Sequence, residues 1–319
     1  MSELTRRKWL GAAGWLAALA AAGGTEMRSP AAASAQAGSA ESLLAALKSA
    51  RVFDLSFTWS DQSPVLNLNP PYSFALNRTH KMTHEIFGQV PGSRVSWASE
   101  IMFFSGQHGA PTIDAIGHIG RDLKLHGGVD AVAATSTPGG IGANLGIDSF
   151  PVDLMINRGV FLDVARHVAA GAADPLPPGY EITAKHLDDT AKAQGVDVRK
   201  GDSVLIRTGW GQYFGKDNAR YLGEQSPGPG QDGAKWIIGK GARLAGDDTA
   251  TFEKRPAAYG KELFSVHMML LTDNGIYIVE NMNLEPLSAA KAYTVALVIT
   301  PLKIQGGTGS PLRALAVAP

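Results

Sequence analysis

Eight histidines and no cysteine set the terms for any chemistry this chain performs. Four of those histidines, His80, His84, His108 and His118, fall between residues 80 and 118. The densest stretch is Ser105-Gly-Gln-His-Gly-Ala-Pro-Thr-Ile-Asp-Ala-Ile-Gly-His118, which puts His108, Asp114 and His118 within eleven residues. Gly106, Gly109, Gly117 and Gly120 surround them, and glycine lets a backbone turn tightly enough for side chains to converge. Imidazole nitrogen and carboxylate oxygen suit zinc, manganese or iron. The missing cysteines exclude disulfides and thiolate metal sites. Spacing alone leaves another reading open, because Asp114 and His118, four apart, also fit neighbours on a solvated helix face. His80 and His84 with Glu85 could face a pocket or lie on an exposed loop. His126, His167 and His186 read as surface residues. His267, set in an apolar run, reads by itself as a satisfied core histidine.

Donors of this kind would serve hydrolysis. Cleaving an amide or ester near neutral pH needs a nucleophile stronger than water, and a divalent metal lowers the pKa of water it binds from about 15.7 to about 7. A histidine, unperturbed near about 6.5, can take a proton and pass it to a leaving group. Gln107 and the backbone amides of the glycine-rich segment could hold a developing oxyanion. Neither a G-x-S-x-G elbow nor a cysteine offers another nucleophile. Trp59, Phe74, Phe103 and Trp210 could line a pocket for an aromatic group, or could simply fill the core.

The elements that must position these residues are mostly short strands. Arg51 to Ser56, Ser96 to Ser105, Val160 to Val164, Ser203 to Thr208, Arg243 to Asp248, Phe264 to Leu271, Gly275 to Val279 and Tyr293 to Ile299 read as strands. A helix is expected from Thr183 to Gln194, with Thr183 as N-cap and Gly195 as C-cap. Shorter helices are expected over 42–50 and 234–241. Residues 60–82, rich in Pro, Asn and Ser, read as a long loop or lid. Gly306-Gly-Thr-Gly-Ser310 resembles a phosphate cradle, but no Walker lysine follows, so a tight turn is the better reading. Strands outnumber helices and no linker divides residues 36–319, so one α/β domain with a mixed, largely antiparallel sheet and flanking helices is expected.

Composition narrows the partners. With 45% hydrophobic and 18% charged residues the chain can bury a substantial core. Its formal net charge of zero, with no basic block after the N-terminus, argues against nucleic acid. Thr5-Arg-Arg-Lys-Trp-Leu10, an apolar run from Gly11 to Gly24, and Ala33-Ser-Ala35 together read as a twin-arginine leader over residues 1–35. The apolar run is short and rich in Gly and Ala, unlike a membrane span. Cleavage would remove Arg6, Arg7, Lys8 and Arg28 against Glu3 and Glu26 and leave a slightly acidic, exported protein, periplasmic or secreted, with no membrane partner.

Beyond these local readings, the chain resembles the cyclase family of metal-dependent hydrolases, the bacterial kynurenine formamidase and isatin hydrolase type. The family motif is H-x-G-T-H-x-D-x-P-x-H. Aligned on Asp114, this chain has His108 and His118 at the ends but Ala110, Pro111, Thr112 and Ile116 in place of Gly, Thr, His and Pro. Further matches follow in order: Asp54-Leu-Ser56, Lys200 to Trp210, Gly246-Asp-Asp-Thr249, Val266 to Leu271 with Gly275 and Val279-Glu-Asn-Met-Asn-Leu284, and Pro301 to Pro311. Together they span nearly all of the chain after the leader. The resemblance implies a swivelling β/β/α fold. It implies a divalent metal, Mn²⁺ or Zn²⁺, on His108, Asp114, His267 and Glu280, with His118 moving the proton. Thr112 stands where relatives carry a second histidine, and a hydroxyl is a poor zinc ligand, so one metal per chain is expected. Gln107, Thr112, Trp59, Phe103 and Trp210 are then expected at the substrate, a small cyclic or aryl amide or lactone. Relatives commonly form homo-oligomers, which is the expectation here too. A non-catalytic metal- or ligand-binding protein, or a metal-dependent dehydratase or isomerase, would use the same residues.

Overall fold

The computed structural model describes residues 30–319 except 137, 173 and 258–261, with side chains described from residue 40 onward. Contacts divide the chain at Ser49 into two compact units. The first holds the helix Pro30–Ser49, which extends well N-terminal of the 42–50 helix read from the sequence. Its Leu43, Leu44 and Leu47 are exposed. Most of the expected leader, residues 1–29, lies outside the described residues. No described helix is long and apolar enough to cross a membrane.

The second unit, Ala50–Pro319, is built on strands β1 (Arg51–Asp54), β2 (Ser73–Arg78), β3 (Ser99–Phe103), β4 (Thr112–Asp114), β5 (Ile156–Leu162), β6 (Glu181–Ile182), β7 (Ser203–Ile206), β8 (Gly228–Pro229), β9 (Leu244–Asp247), β10 (Tyr277–Glu280), β11 (Thr294–Val298), β12 (Gly309–Pro311) and β13 (Leu315–Ala318). Nine of them form one sheet in the order β1-β13-β11-β5-β7-β9-β10-β4-β12. Its centre, β5-β7-β9-β10, is parallel. Both flanks are antiparallel, so the mixed, largely antiparallel α/β sheet expected from the sequence is what forms.

Residue pattern explains the division. β7, β9 and β10 are buried at every position, as parallel strands covered by helices on both faces must be. β11 and β13 alternate between buried and more exposed positions, the pattern of strands with one wetter face. Parallel neighbours need crossover connections. Helices Ala184–Gln194 and Gln231–Gly239 lie in the crossovers leading into β7 and β9, and the segment Ser265–Thr272 lies in the one leading into β10.

Helix Ala184–Gln194 stops and starts where expected. The Thr183 side chain accepts the His186 N–H, His186 closes a capping box, and Gly195 ends the helix at φ 65°, a conformation glycine adopts without a Cβ penalty. Thr183→Ala is expected to cost about 1 kcal/mol of unfolding free energy, measurable by urea denaturation.

Two sequence expectations are corrected here. Phe264 to Leu271 is not a strand; Ser265–His267 is helical and runs on as a π-helix over Met268–Thr272. A continuous apolar run looks the same in a buried strand and a buried helix, and Val266, Leu270 and Leu271 are all buried. The region 60–82 is not all loop, since β2 and the start of helix His80–Phe87 lie within it. β2 pairs with β3 in a separate two-stranded ribbon, outside the main sheet.

Candidate metal centre

β4 and β10 lie side by side, antiparallel, with Glu280 opposite Thr112 and Ile278 opposite Asp114. Cross-strand partners share a face of the sheet, as do residues two apart along a strand. Asp114, Thr112 and Glu280 therefore point the same way, while Ile113 and Val279 fill the core on the other side. The helical turn before β10 delivers His267 to that face. One ligand atom from each of Asp114, His267 and Glu280 lies within 4.8 Å of the others, and all three residues are buried.

His267 is held from behind. A Glu253 carboxylate oxygen accepts the His267 backbone N–H at 2.9 Å and lies 2.7 Å from its Nδ1. Nδ1 thus carries hydrogen and Nε2 faces forward, 3.2 Å from Glu280 Oε1 and 3.8 Å from Asp114 Oδ2. A carboxylate that fixes the tautomer of a ligating histidine is the usual support for a metal site. The same contact satisfies an otherwise orphaned N–H at the helix start. Glu253→Ala is expected to weaken metal binding about 10- to 100-fold, with Gln restoring part of the loss, as read by competition with a chromogenic chelator.

The electrostatics call for positive charge. Burial opposes charge on the His267 ring, but hydrogen bonds to Glu253 and Glu280 and their charges outweigh it and hold its pKa well above the usual imidazole range. Burial, then the neighbouring Asp114 charge, pushes Glu280 up to about 7. Both Asp114 oxygens are buried with no hydrogen-bond partner, and so is the Thr112 hydroxyl. Buried carboxylate oxygens left unpartnered are costly. A nitrogen and two carboxylates converging around such atoms fit a divalent cation such as zinc or manganese.

His118 lies beside this group. Its Nε2 is 3.9 Å from Asp114 Oδ1, and its Nδ1 is 3.2 Å from Gln107 Nε2. The Gln107 amide also reaches the Thr308 carbonyl, so the C-terminal Gly306 to Ser310 segment buttresses the site. Gly106 meets that segment closely, where a Cβ would stand 2.6 Å from the Gly309 carbonyl oxygen. Gln107, His118, His267, Glu280 and Asn281 line one side of a cavity of about 310 Å³. Pro64, Val65, Leu66, Leu68, Ile119 and Phe264 give it apolar walls. Residues of the expected 60–82 loop thus form part of the cavity wall.

Other expected site residues fall elsewhere. His108 is fully buried but stands outside the converging group. Its Nδ1 accepts the Ser105 N–H at 2.9 Å, and its Nε2 is buried with no hydrogen-bond partner. Three of the four expected ligands thus converge, and His108 stands beside that group. Trp210, 1% exposed, packs in an apolar cluster with Phe214 and Tyr221. Phe103 is 56% exposed on β3. Trp59 packs on Tyr72 and Phe104 and lines a separate groove with Phe57 and Leu312. None of these three aromatics lines the cavity, because ring type alone does not tell a core position from a pocket wall.

Glu253 escaped sequence reasoning altogether. Its partner sits fourteen residues away on a different element, and nothing in the run Gly246 to Glu253 sets this acid apart from Asp247 and Asp248. The acidic end of β9 has a structural task instead. Asp248 accepts the N–H and hydroxyl of Thr208, with burial pushing its pKa up to about 6. Strain gathers nearby, with Phe252, Phe264 and Asn281 at φ of 51°, 52° and 59°. Such conformations are uncommon for bulky residues and concentrate at functional sites.

Fold and site together define an α/β protein whose buried His-carboxylate group adjoins a small-molecule-sized cavity. Residues 53–254 match the profile of the Cyclase family, and the chain belongs to that family. It is 28% identical over 281 residues to an isatin hydrolase from Roseibium aggregatum, covering 84% of this chain and 92% of that protein. The crystal structure of a novel cyclase matches with TM-score 0.74 at 28% identity, over 86% of this chain and 92% of that one. An isatin hydrolase bound to the product analogue thioisatinate shares the fold, with TM-score 0.65 at 24% identity over 90% and 99% of the two chains.

Proposed function

We propose that this protein is a metal-dependent hydrolase that cleaves a C–N or C–O bond in a small cyclic or aryl amide or lactone. The observation that carries this reading is the convergence of Asp114, His267 and Glu280 within 4.8 Å beside His118 and a cavity. The similarity to an isatin hydrolase supports the hydrolase class. One divalent ion, manganese or zinc, would be held by those three residues and would make bound water acidic enough to attack near neutral pH.

The remaining work falls to the chain itself. His118 takes and returns the proton through Nε2. Gln107 sets which tautomer is available: with its amide nitrogen on Nδ1 the neutral ring carries hydrogen at Nε2 and can only give a proton, and with its oxygen there, after a flip, Nε2 is free to take one. The apolar wall from Pro64 to Leu68, with Phe264, holds the substrate's ring and excludes bulk water. Asn281, whose Oδ1 accepts the Tyr221 hydroxyl at 2.8 Å, is fixed at the polar edge of the cavity. Residues 1–35 are read as a twin-arginine leader that exports the protein to the periplasm or beyond.

The test is to strip the protein with a chelator, restore single metals, and screen formamides, cyclic imides and lactones. Hydrolysis that returns with one metal and one substrate class is expected. No metal-dependent hydrolysis across a broad panel would instead favour a binding protein.

A further inference from the structure

Asn281 follows Glu280 in the chain, yet its side chain has a separate task. The backbone there is left-handed, with φ 59°, a conformation asparagine tolerates better than most side chains do. Hydrogen bonds hold it on both sides of the residue. The Asn281 N–H donates to the Thr249 carbonyl at 2.8 Å, and the Met282 N–H to the Asp247 carbonyl at 3.0 Å. The amide is held as well. Tyr221, fully buried, donates its hydroxyl hydrogen to Asn281 Oδ1 at 2.8 Å, well inside the 3.4 Å to the Asp248 carbonyl. Burial, then the nearby carboxylates, hold the Tyr221 pKa well above the usual phenol range, so the hydroxyl keeps the proton it donates.

An amide whose oxygen is engaged from behind presents its nitrogen forward. Asn281 lines the cavity, and among the described residues nothing accepts from its Nδ2. Thr251, 3% exposed, lines the same cavity, and its hydroxyl is buried with no hydrogen-bond partner. The bond from Asn281 to Thr249 ties the two segments together. An amide nitrogen offers a cation no lone pair, so Asn281 Nδ2 is no part of the metal centre. Buried polar groups without partners are costly, and backbone strain enforced by its surroundings gathers at ligand clamps. Both features call for an acceptor that enters with the ligand.

We infer that Asn281 Nδ2 donates to a substrate oxygen other than the one at the bond that is cleaved, with Thr251 on the same wall. This deepens the hydrolase reading above and rests on its cavity. His118 and Gln107 stand at the bond under attack, and Asn281 holds a second carbonyl. The substrate class is then a ring with two carbonyl groups, an imide rather than a simple lactam. A methylene in place of the second carbonyl leaves the amide unpaired, and a site built to hydrogen-bond a group rejects the analogue that lacks it.

Phthalimide and isoindolinone, bicyclic probes that differ in one carbonyl, test this. Equilibrium dialysis against the full-length protein after chelation reads recognition without turnover. Wild type is expected to hold phthalimide about tenfold or more tighter than isoindolinone. Asn281→Gly, which suits the left-handed backbone, should erase that preference. Tyr221→Phe frees the amide to turn and should weaken phthalimide alone, whereas a merely structural tyrosine would weaken both probes alike. No preference for phthalimide in wild type, or a preference that survives in both folded variants, would overturn the inference. With metal restored, Asn281→Gly should raise KM for phthalimide more than it lowers kcat. A fall in kcat with KM unchanged would make Asn281 a transition-state donor and contradict the inference too. Absence of metal-dependent turnover would count against the hydrolase reading alone, because the dialysis comparison needs no turnover.

Discussion

Asp114→Asn is expected to abolish metal retention and at the same time make the metal-free protein more stable. Both effects come from one feature: two carboxylate oxygens, fully buried, with no hydrogen-bond partner. A buried charge without hydrogen bonds is costly, and without a cation only His nitrogens at 3.8 and 3.9 Å, beyond hydrogen-bond reach, offset it in part. A neutral amide removes most of the penalty. It also removes an anionic donor, which carries much of a divalent ion's affinity. Thermal melts with and without chelator should therefore cross over. Chelated D114N melts above chelated wild type, and metal-loaded wild type melts above both. Metal affinity should fall by more than the roughly 100-fold that a supporting residue costs. Equal affinity in D114N would remove Asp114 from the centre.

His118→Ala carries the second large effect, with the opposite signature. Loss of a positioned acid-base group costs about 10²- to 10⁴-fold in turnover. His118 lies outside the converging trio and leans on Gln107, so metal content should stay at the wild-type level. Metal lost together with activity would make His118 a ligand. Turnover within tenfold of wild type would move proton transfer to another group.

Much of the centre was legible because its parts sit in local patterns. The apolar runs of β7 and β10 announced strands, and Thr183 with Gly195 bounded a helix to the residue. Asp114, His267 and Glu280 stood in segments whose order along the chain resembles one family. What stayed hidden depends on contacts between distant residues. Glu253 acquires its role only when the turn after β9 meets the first turn of the helix carrying His267. His108 had the right side chain at the right spacing, but the fold sets it outside the group formed by the other three. The 264–271 run lacked a period that separates helix from strand, and the helical turn that carries His267 has no sequence signature. The aromatic side chains divided among core, ribbon and groove for the same reason: burial is decided by the whole fold, not by residue type.

The most direct measurement is an anomalous-difference map from crystals soaked in manganese. One strong peak bonded at once to Asp114, His267 Nε2 and Glu280 is the expected result. A peak bonded to His108 and not to His267, or no peak between β4 and β10, would contradict the three-residue centre on which the proposed hydrolysis rests.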